Sequence, residues 1–365
     1  MRILHVFRSP VGGLFRHVRD LTRGQHEMGH EVGLFCDSSM GGDFAARMLE
    51  HIEPHCRLGI YRAAIPRQPG FGDISGARLV SRVAENIRPD VIHCHGAKGG
   101  LYGRLAAWRL GISSTYTPHN GSLTYDWSSP AGIAYLSAEK VLRRIGSGLS
   151  FVCKHERNLF DRKIGIAGKP HVIVYNGVWP EEFKEPKLQP DATDFMALGE
   201  IRRIKGLDIL IRALARFPSA TLAIVGDGPD RTELQGLARQ LGLTGRVRFL
   251  GAMPAADALT VGRIMVLSSH KEAFPYVVIE AGAARKPLVA TGVGGVPEIV
   301  PETLLCQPGN TDALYAKMKA QMEGDPEVMA ANTLFFNEVH EKCNVAKMCA
   351  DITQFYSSLS NTSVG

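Results

Sequence analysis

No stretch of this 365-residue chain approaches the run of about 18 apolar residues that a membrane-spanning helix needs, so no transmembrane segment is expected. The opening, MRILHVFRSP, has too short an apolar part for a secretory signal and reads as a first strand, so export is not expected either. Cysteine is scarce and odd in number, with seven at positions 36, 56, 94, 153, 306, 343 and 349. With no Cys-x-x-Cys among them, neither a disulfide framework nor a zinc site is indicated, and the reduced cytosol is the expected location. There is no Asp-x-Asp, hence no carboxylate pair ready to hold a metal on a diphosphate. Gly-x-Gly-x-x-Gly is also missing, which weakens a dinucleotide-binding reading. No helix-turn-helix, zinc-finger or aromatic RNP pattern occurs, so nucleic acid is not an expected partner.

What is present is ordinary soluble composition, 45% hydrophobic and 21% charged, in a chain long enough for two cores. The net charge of +6 is uneven: residues 1–177 carry 23 Lys/Arg against 14 Asp/Glu, and the remainder 19 against 22. A basic first half suits anionic lipid headgroups or a phosphorylated acceptor, or is simply a solvated arginine-rich face. Short apolar runs alternate with helical-period segments along the whole chain: RILHVF, EVGLFC, DVIHCH, SSTYTP, LSFVC and HVIVYN, then again DFMALG, ATLAIVG, RVRFLG, RIMVLSS and KPLVAT. Helices are expected at 14–28, 76–87, 101–110 and 131–145, then at 206–216, 229–241, 254–261, 277–285 and 296–300, with a helical tail from 310. This is βαβ patterning, so an α/β fold of two Rossmann-like, doubly wound parallel sheets facing a cleft is expected. The domains predicted are 1–177 and 178–345, joined by the polar, proline-rich segment 176–194. A last helix within 346–365 is free to cross back to the first domain.

Ligands of open parallel sheets sit beyond the carboxyl ends of the strands, and the motifs lie there. After the first strand, Gly12 and Gly13 in SPVGGLFRH either admit a phosphate or sugar to a helix N-terminus or make a tight turn. His93 and His95 in DVIHCHG share a strand face, but no third or fourth ligand is spaced to match, and the pair reads as structural. His119 in TPHNGS can hydrogen-bond or transfer a proton from a strand-end loop. Arg202, Arg203 and Lys205 in LGEIRRIKGLDIL gather positive charge before a helix start, which suits a diphosphate. In TGVGGVPEIV a proline replaces the third glycine of a hydride-transfer fingerprint. Glu272 and Glu280 lie eight apart in HKEAFPYVVIEA. In one helix they would be roughly 12 Å and about 80° apart, too far to share a proton, and Pro275 argues against a single helix. Glu272 is therefore expected in a loop and Glu280 in a helix, gripping different parts of one long ligand.

In this order the motifs resemble the GT-B glycosyltransferases, specifically the retaining sugar transferases of family 4 that build bacterial surface polysaccharides and lipopolysaccharide cores. The resemblance covers nearly the whole chain, and its most specific element is the Glu-x7-Glu pair. It implies an acceptor-side domain at 1–177 and a nucleotide-sugar-binding domain at 178–345, with Glu280 binding the ribose of a nucleotide, Glu272 binding hydroxyls of the donor sugar, and the main chain from Phe274 through Pro275 and Tyr276 to Val277 reaching the sugar and diphosphate through its N–H groups. Pro275 stands where glycine is commoner and removes one such donor. Lys205 matches the diphosphate-binding lysine, Gly12 and Gly13 the first-domain glycine loop, and His119 the histidine near the reaction centre, making His119 and Glu272 the candidate catalytic residues. Glu200 replaces the family's arginine, for which Arg202 is the candidate substitute.

The activity implied is retaining, metal-independent and cofactor-free transfer from a UDP- or GDP-linked sugar to a glycan or glycolipid hydroxyl in the cytoplasm, with a peripheral place at the inner membrane face open to it. Arg62 and Arg67 are the residues whose loss would weaken binding to anionic liposomes. Two other readings use the same grip: a nucleotide-sugar epimerase, and a non-catalytic partner that binds the nucleotide.

Overall fold

The computed structural model describes residues 1–361 except Arg67, Pro69 and Phe71, with Ser360 and Asn361 described in backbone only. The chain forms two compact units, Met1–Asn176 with Val345–Gly365, and Gly177–Asn344.

Unit 1 alternates strands β1 (Arg2–Val6), β2 (Glu31–Asp37), β3 (Ile60–Ala63), β4 (Val91–His95), β5 (Ser113–Thr117), β6 (Gly148–Phe151) and β7 (His171–Ile173) with helices. The helices are α1 (Gly12–Glu27), α2 (Gly42–Ile52), α3 (Gly72–Ile87), α4 (Gly96–Leu110), α5 (Pro130–Ile145) and α6 (Lys154–Lys163). The strands pair in the order β3-β2-β1-β4-β5-β6-β7, all parallel, so the order reverses between β1 and β4. The central strands are buried on both faces, as β4 (VIHCH) is at every residue, which is why they read as apolar runs and not as alternation. Leu4, Val6, Ile92, Tyr102 and Tyr116 fill one layer, and Phe7, Phe15, Val18 and Leu34 the other.

Unit 2 contains β8 (Thr193–Leu198), α7 (Leu207–Leu214), β9 (Leu222–Val225), α8 (Arg231–Gln240), β10 (Val247–Gly251), α9 (Ala255–Ala258), β11 (Gly262–Leu267), α10 (Tyr276–Ala283), β12 (Leu288–Thr291), β13 (Leu305–Cys306), α11 (Thr311–Glu323) and α12 (Pro326–Lys342). Its sheet runs β10-β9-β8-β11-β12-β13, again parallel, with the reversal between β8 and β11. The helix expected at 296–300 is a single 3-10 turn, Val296–Glu298, because Pro301 disfavours helical geometry in the residue before it, Val300. The one expected at 254–261 shrinks to Ala255–Ala258, since the chain must reach β11 at Gly262.

The closing helix, α13 (Val345–Asn361), belongs to unit 1. It buries Met348, Cys349, Ile352 and Tyr356. The Tyr356 hydroxyl lies 3.4 Å from Gln25 Nε2 and 2.5 Å from His93 Nδ1, fixing this helix over the last turn of α1 and the middle of β4.

Candidate functional site

In unit 2 the loops following β8 and β11, the strands flanking the switch point, carry the charged groups. Lys205 ends a 3-10 turn, Arg203–Lys205, and its Nζ donates to Glu272 Oε1 at 2.7 Å. Ser269 Oγ donates to the same oxygen at 2.6 Å. Two further bonds to backbone carbonyls stitch the loops: the Ser268 side-chain Oγ donates to Lys205 O at 3.0 Å, and His270 N to Ile204 O at 2.8 Å. Gly206, at φ +59°, permits this approach, since a Cβ there would stand 2.2 Å from Ser268 O.

Glu272 lies in the loop, and Glu280 is buried on α10, which starts immediately after the extended Pro275. Phe274 and Tyr276 are buried, their side chains turned into the core. Pro275 has no N–H, which leaves Tyr276 and Val277 as the first-turn amides of α10, at the positive helix end. The glycine turn of TGVGGVPEIV supports this loop from behind. Gly294, at φ +60°, sits where a Cβ would meet Glu272 O at 2.1 Å, and Gly295 N donates to Ala273 O at 2.6 Å. Gly294 is thus explained by packing against the Glu272 loop. Arg202 is half-buried and pairs with Glu200 at 3.7 Å, not with the Lys205–Glu272 pair.

In unit 1, Gly12 and Gly13 are exposed at the start of the 16-residue α1, whose N-cap Val11 offers no side-chain bond and whose first turn holds no acid. Gly12 has φ +77° with open space around its missing Cβ. His119, half-buried after β5, has φ +49° and Asn120 has φ +59°, a left-handed pair uncommon for residues with side chains. Glu156, wholly buried, accepts from Asn120 N at 2.6 Å and from Val152 N at 3.0 Å and so clamps this turn. Burial pushes its carboxyl up to about 7, against the pull of those two amides.

His119 is one of five clustered histidines. His5 Nε2 lies 2.9 Å from Gln25 Oε1, His5 Nδ1 3.0 Å from His95 Nε2, and His95 Nδ1 3.2 Å from His119 Nε2. The ring centroids of His93 and His95 lie 3.9 Å apart, the rings tilted by 35°. His17 stands edge-on to His119 at 4.8 Å, its Nδ1 2.9 Å from Asn176 Oδ1. Burial lowers His5 and His17 to about 4 and carries His93, His95 and His119 well below the usual range, so all five rings are neutral at pH 7. Sequence spacing offers His93 and His95 no further ligands; the fold supplies His5, His17 and His119. The β1–β4 pairing, with His5 opposite His93, is the signal that could have found part of this group. Ser269, Glu156 and Asn176 do not stand out in the sequence, since an isolated polar residue carries no pattern. Arg62 is exposed, whereas Arg67 lies outside the described residues.

Comparison with known proteins matches residues 11–182 to the family described as Glycosyltransferase Family 4, and residues 179–333 to Glycosyl transferases group 1. A phosphatidylinositol N-acetylglucosaminyltransferase component from Arabidopsis thaliana is 31% identical, over 88% of this chain and 74% of that one. D-inositol 3-phosphate glycosyltransferase 2 of Catenulispora acidiphila is 28% identical, over 82% and 80%. Among solved structures, sucrose-phosphate synthase of Thermosynechococcus elongatus superposes with TM-score 0.82 at 21% identity over 99% and 100%. Anabaena Alr3699/HepE in complex with UDP-glucose superposes at 0.80 and 23%, over 98% and 100%.

Proposed function

We propose that this chain, which belongs to the family 4 and group 1 glycosyltransferases and shares the GT-B fold, moves a sugar from a nucleoside diphosphate to a hydroxyl of a glycan or glycolipid, without a metal on the diphosphate and with retained anomeric configuration. One observation carries the reading: the loops after β8 and β11 bring Lys205 and Glu272 together at 2.7 Å, just before the helix that bears Glu280. An ammonium and the first amides of α10 suit a diphosphate, and carboxylates suit vicinal hydroxyls as bidentate acceptors. Lys205 and the amides of Tyr276 and Val277 take the diphosphate, with Arg202 leaving Glu200 to assist. Glu280 takes the ribose, and Glu272 exchanges its pairing with Lys205 and Ser269 for the sugar. His119 is the candidate histidine for the sugar near the reaction centre, presented by the Glu156-clamped turn.

In front-face transfer the departing phosphate oxygen accepts the acceptor's proton, so the protein chiefly stabilises leaving-group charge and holds the reactants. The Alr3699/HepE complex with UDP-glucose favours a UDP-linked donor, with GDP the alternative. The two relatives named for phosphatidylinositol and inositol 3-phosphate, with the +9 balance of residues 1–177, favour an anionic acceptor. A cytoplasmic place in bacterial surface polysaccharide or lipopolysaccharide synthesis, next to an anionic membrane, is part of the same proposal. No described helix is long and apolar enough to cross a membrane.

The test is incubation of the purified chain with UDP- and GDP-sugars, with and without anionic glycolipid acceptors. Nucleoside diphosphate released only with acceptor, and an axial or equatorial product linkage matching the donor, supports the reading. Interconversion of sugar nucleotides without acceptor makes the protein an epimerase. Nucleotide binding without turnover on any acceptor makes it a non-catalytic partner.

A further inference from the structure

The five histidines of unit 1 are more than a neutral stack, because their outer partners decide where each ring keeps its proton. Asn176 Oδ1 only accepts, so His17 carries its proton on Nδ1, and its Nε2 is a buried lone pair with no hydrogen-bond partner among the described residues. Gln25 Oε1 likewise only accepts, so His5 is protonated on Nε2 and accepts through Nδ1 from His95 Nε2. His95 Nδ1 is therefore a second lone pair, met by His119 Nε2 at 3.2 Å. His93 is excluded from ligation, since Tyr356 Oη and Thr117 Oγ1 occupy its two nitrogens at 2.5 and 2.8 Å. His5 is excluded in the same way, by Gln25 and His95.

We propose that unit 1 binds one divalent transition-metal ion of the zinc class through His17 Nε2, His95 Nδ1 and His119 Nε2. One ring nitrogen of each of the three histidines lies within 4.8 Å of those of the other two. The 3.2 Å between His95 and His119 is close to the roughly 3.3 Å separating two nitrogens that each lie about 2.0–2.1 Å from a tetrahedral ion. Metal-binding histidines characteristically donate their other N–H to a carbonyl or similar acceptor, and Asn176 and His5 serve here in that way. On binding, the His95–His119 hydrogen bond is replaced by two metal–nitrogen bonds, and the proton on His119 Nε2 passes to Nδ1 of the same ring. An all-imidazole set selects Zn2+, Cu2+ or Ni2+ over Mg2+ or Ca2+, which require oxygen ligands. Half-buried His119 gives the route in from solvent, and water completes the fourth position. The site draws on unit 1 alone and stands whether or not the chain transfers sugar.

The probe is Co2+, titrated into the chelator-treated full chain without a histidine tag and followed by visible absorption. Saturation at one ion per chain, with the intense bands of a four-coordinate ion displaced by Zn2+, is expected for the parent and for the exposed control His51→Gln. His17→Gln and His119→Gln should each bind at least tenfold more weakly, and Asn176→Ala about 10–100-fold more weakly. Circular dichroism establishes that each variant is folded. Failure of the parent to saturate, the pale spectrum of a six-coordinate ion, or a folded His17→Gln chain binding as tightly as the parent overturns the site.

Discussion

Replacing Gly294 by alanine would place a methyl carbon 2.1 Å from the carbonyl oxygen of Glu272 and 2.7 Å from its carbon. Ordinary carbon contacts are about 3.5 Å, so one backbone must retreat by roughly 1 Å. Gly294 also has φ +60°, where a side chain adds about 1–2 kcal/mol of strain. Together these should lower the stability of unit 2 by about 2–4 kcal/mol, or roughly 5–12 °C in Tm for a domain of this size. A displacement of about 1 Å at a group that positions substrate costs on the order of 100-fold, so kcat/KM for sugar transfer should fall by that factor even in the molecules that remain folded. Gly292→Ala is the internal control, since nothing lies closer than 3.8 Å to its new Cβ. Differential scanning calorimetry and steady-state transfer, normalised to folded protein, read both effects. A Gly294→Ala chain with parental Tm and parental transfer refutes the contact, and one that is destabilised but transfers normally refutes the role of the Glu272 loop.

Glu156→Gln should flatten the pH dependence of unit 1 stability. The folded carboxyl, raised to about 7 from 4.5, contributes stability fully present below pH 4.5 and lost as pH climbs through 7, about 3 kcal/mol in all by chemical denaturation. Lys286, buried and donating to Gly262 O at 2.6 Å, is lowered to about 8 by burial. Its contribution is therefore present above pH 10.5 and lost as pH falls through 8, and Lys286→Met should raise Tm at pH 7 and remove that alkaline rise. Glu139 accepts from Arg104, Tyr116 and Ser122 inside unit 1, so Glu139→Leu leaves a buried guanidinium unpaired and should cost about 3–5 kcal/mol, measured by urea unfolding.

The central strands are legible because strands buried on both faces are continuous apolar runs. The elements that sequence patterning misses are thinly encoded. β3 is a half-buried edge strand of four residues, and α6 buries only Glu156 and Phe160. α2 buries just Ala45, Leu49 and Ile52, too few to mark a helix between a strand and a proline-rich segment. On the site, local order is enough to separate Glu272 from Glu280, since Pro275 forces a helix to begin after it. The histidine group is not legible, because positions 5, 17, 95 and 119 meet only through the strand order β1-β4-β5, and His17 through Asn176. Nor does the spacing of Gly294 reveal its contact, which depends on a loop 22 residues earlier.

The most direct test of the central claim is calorimetric binding of the preferred nucleoside diphosphate and its sugar derivative to the parent, Glu280→Gln and Glu272→Gln chains. With Glu280 on the ribose and Glu272 on the sugar, Glu280→Gln should weaken both ligands alike, while Glu272→Gln should weaken the sugar nucleotide and spare the bare diphosphate. Parental affinity of both variants for both ligands would contradict the account.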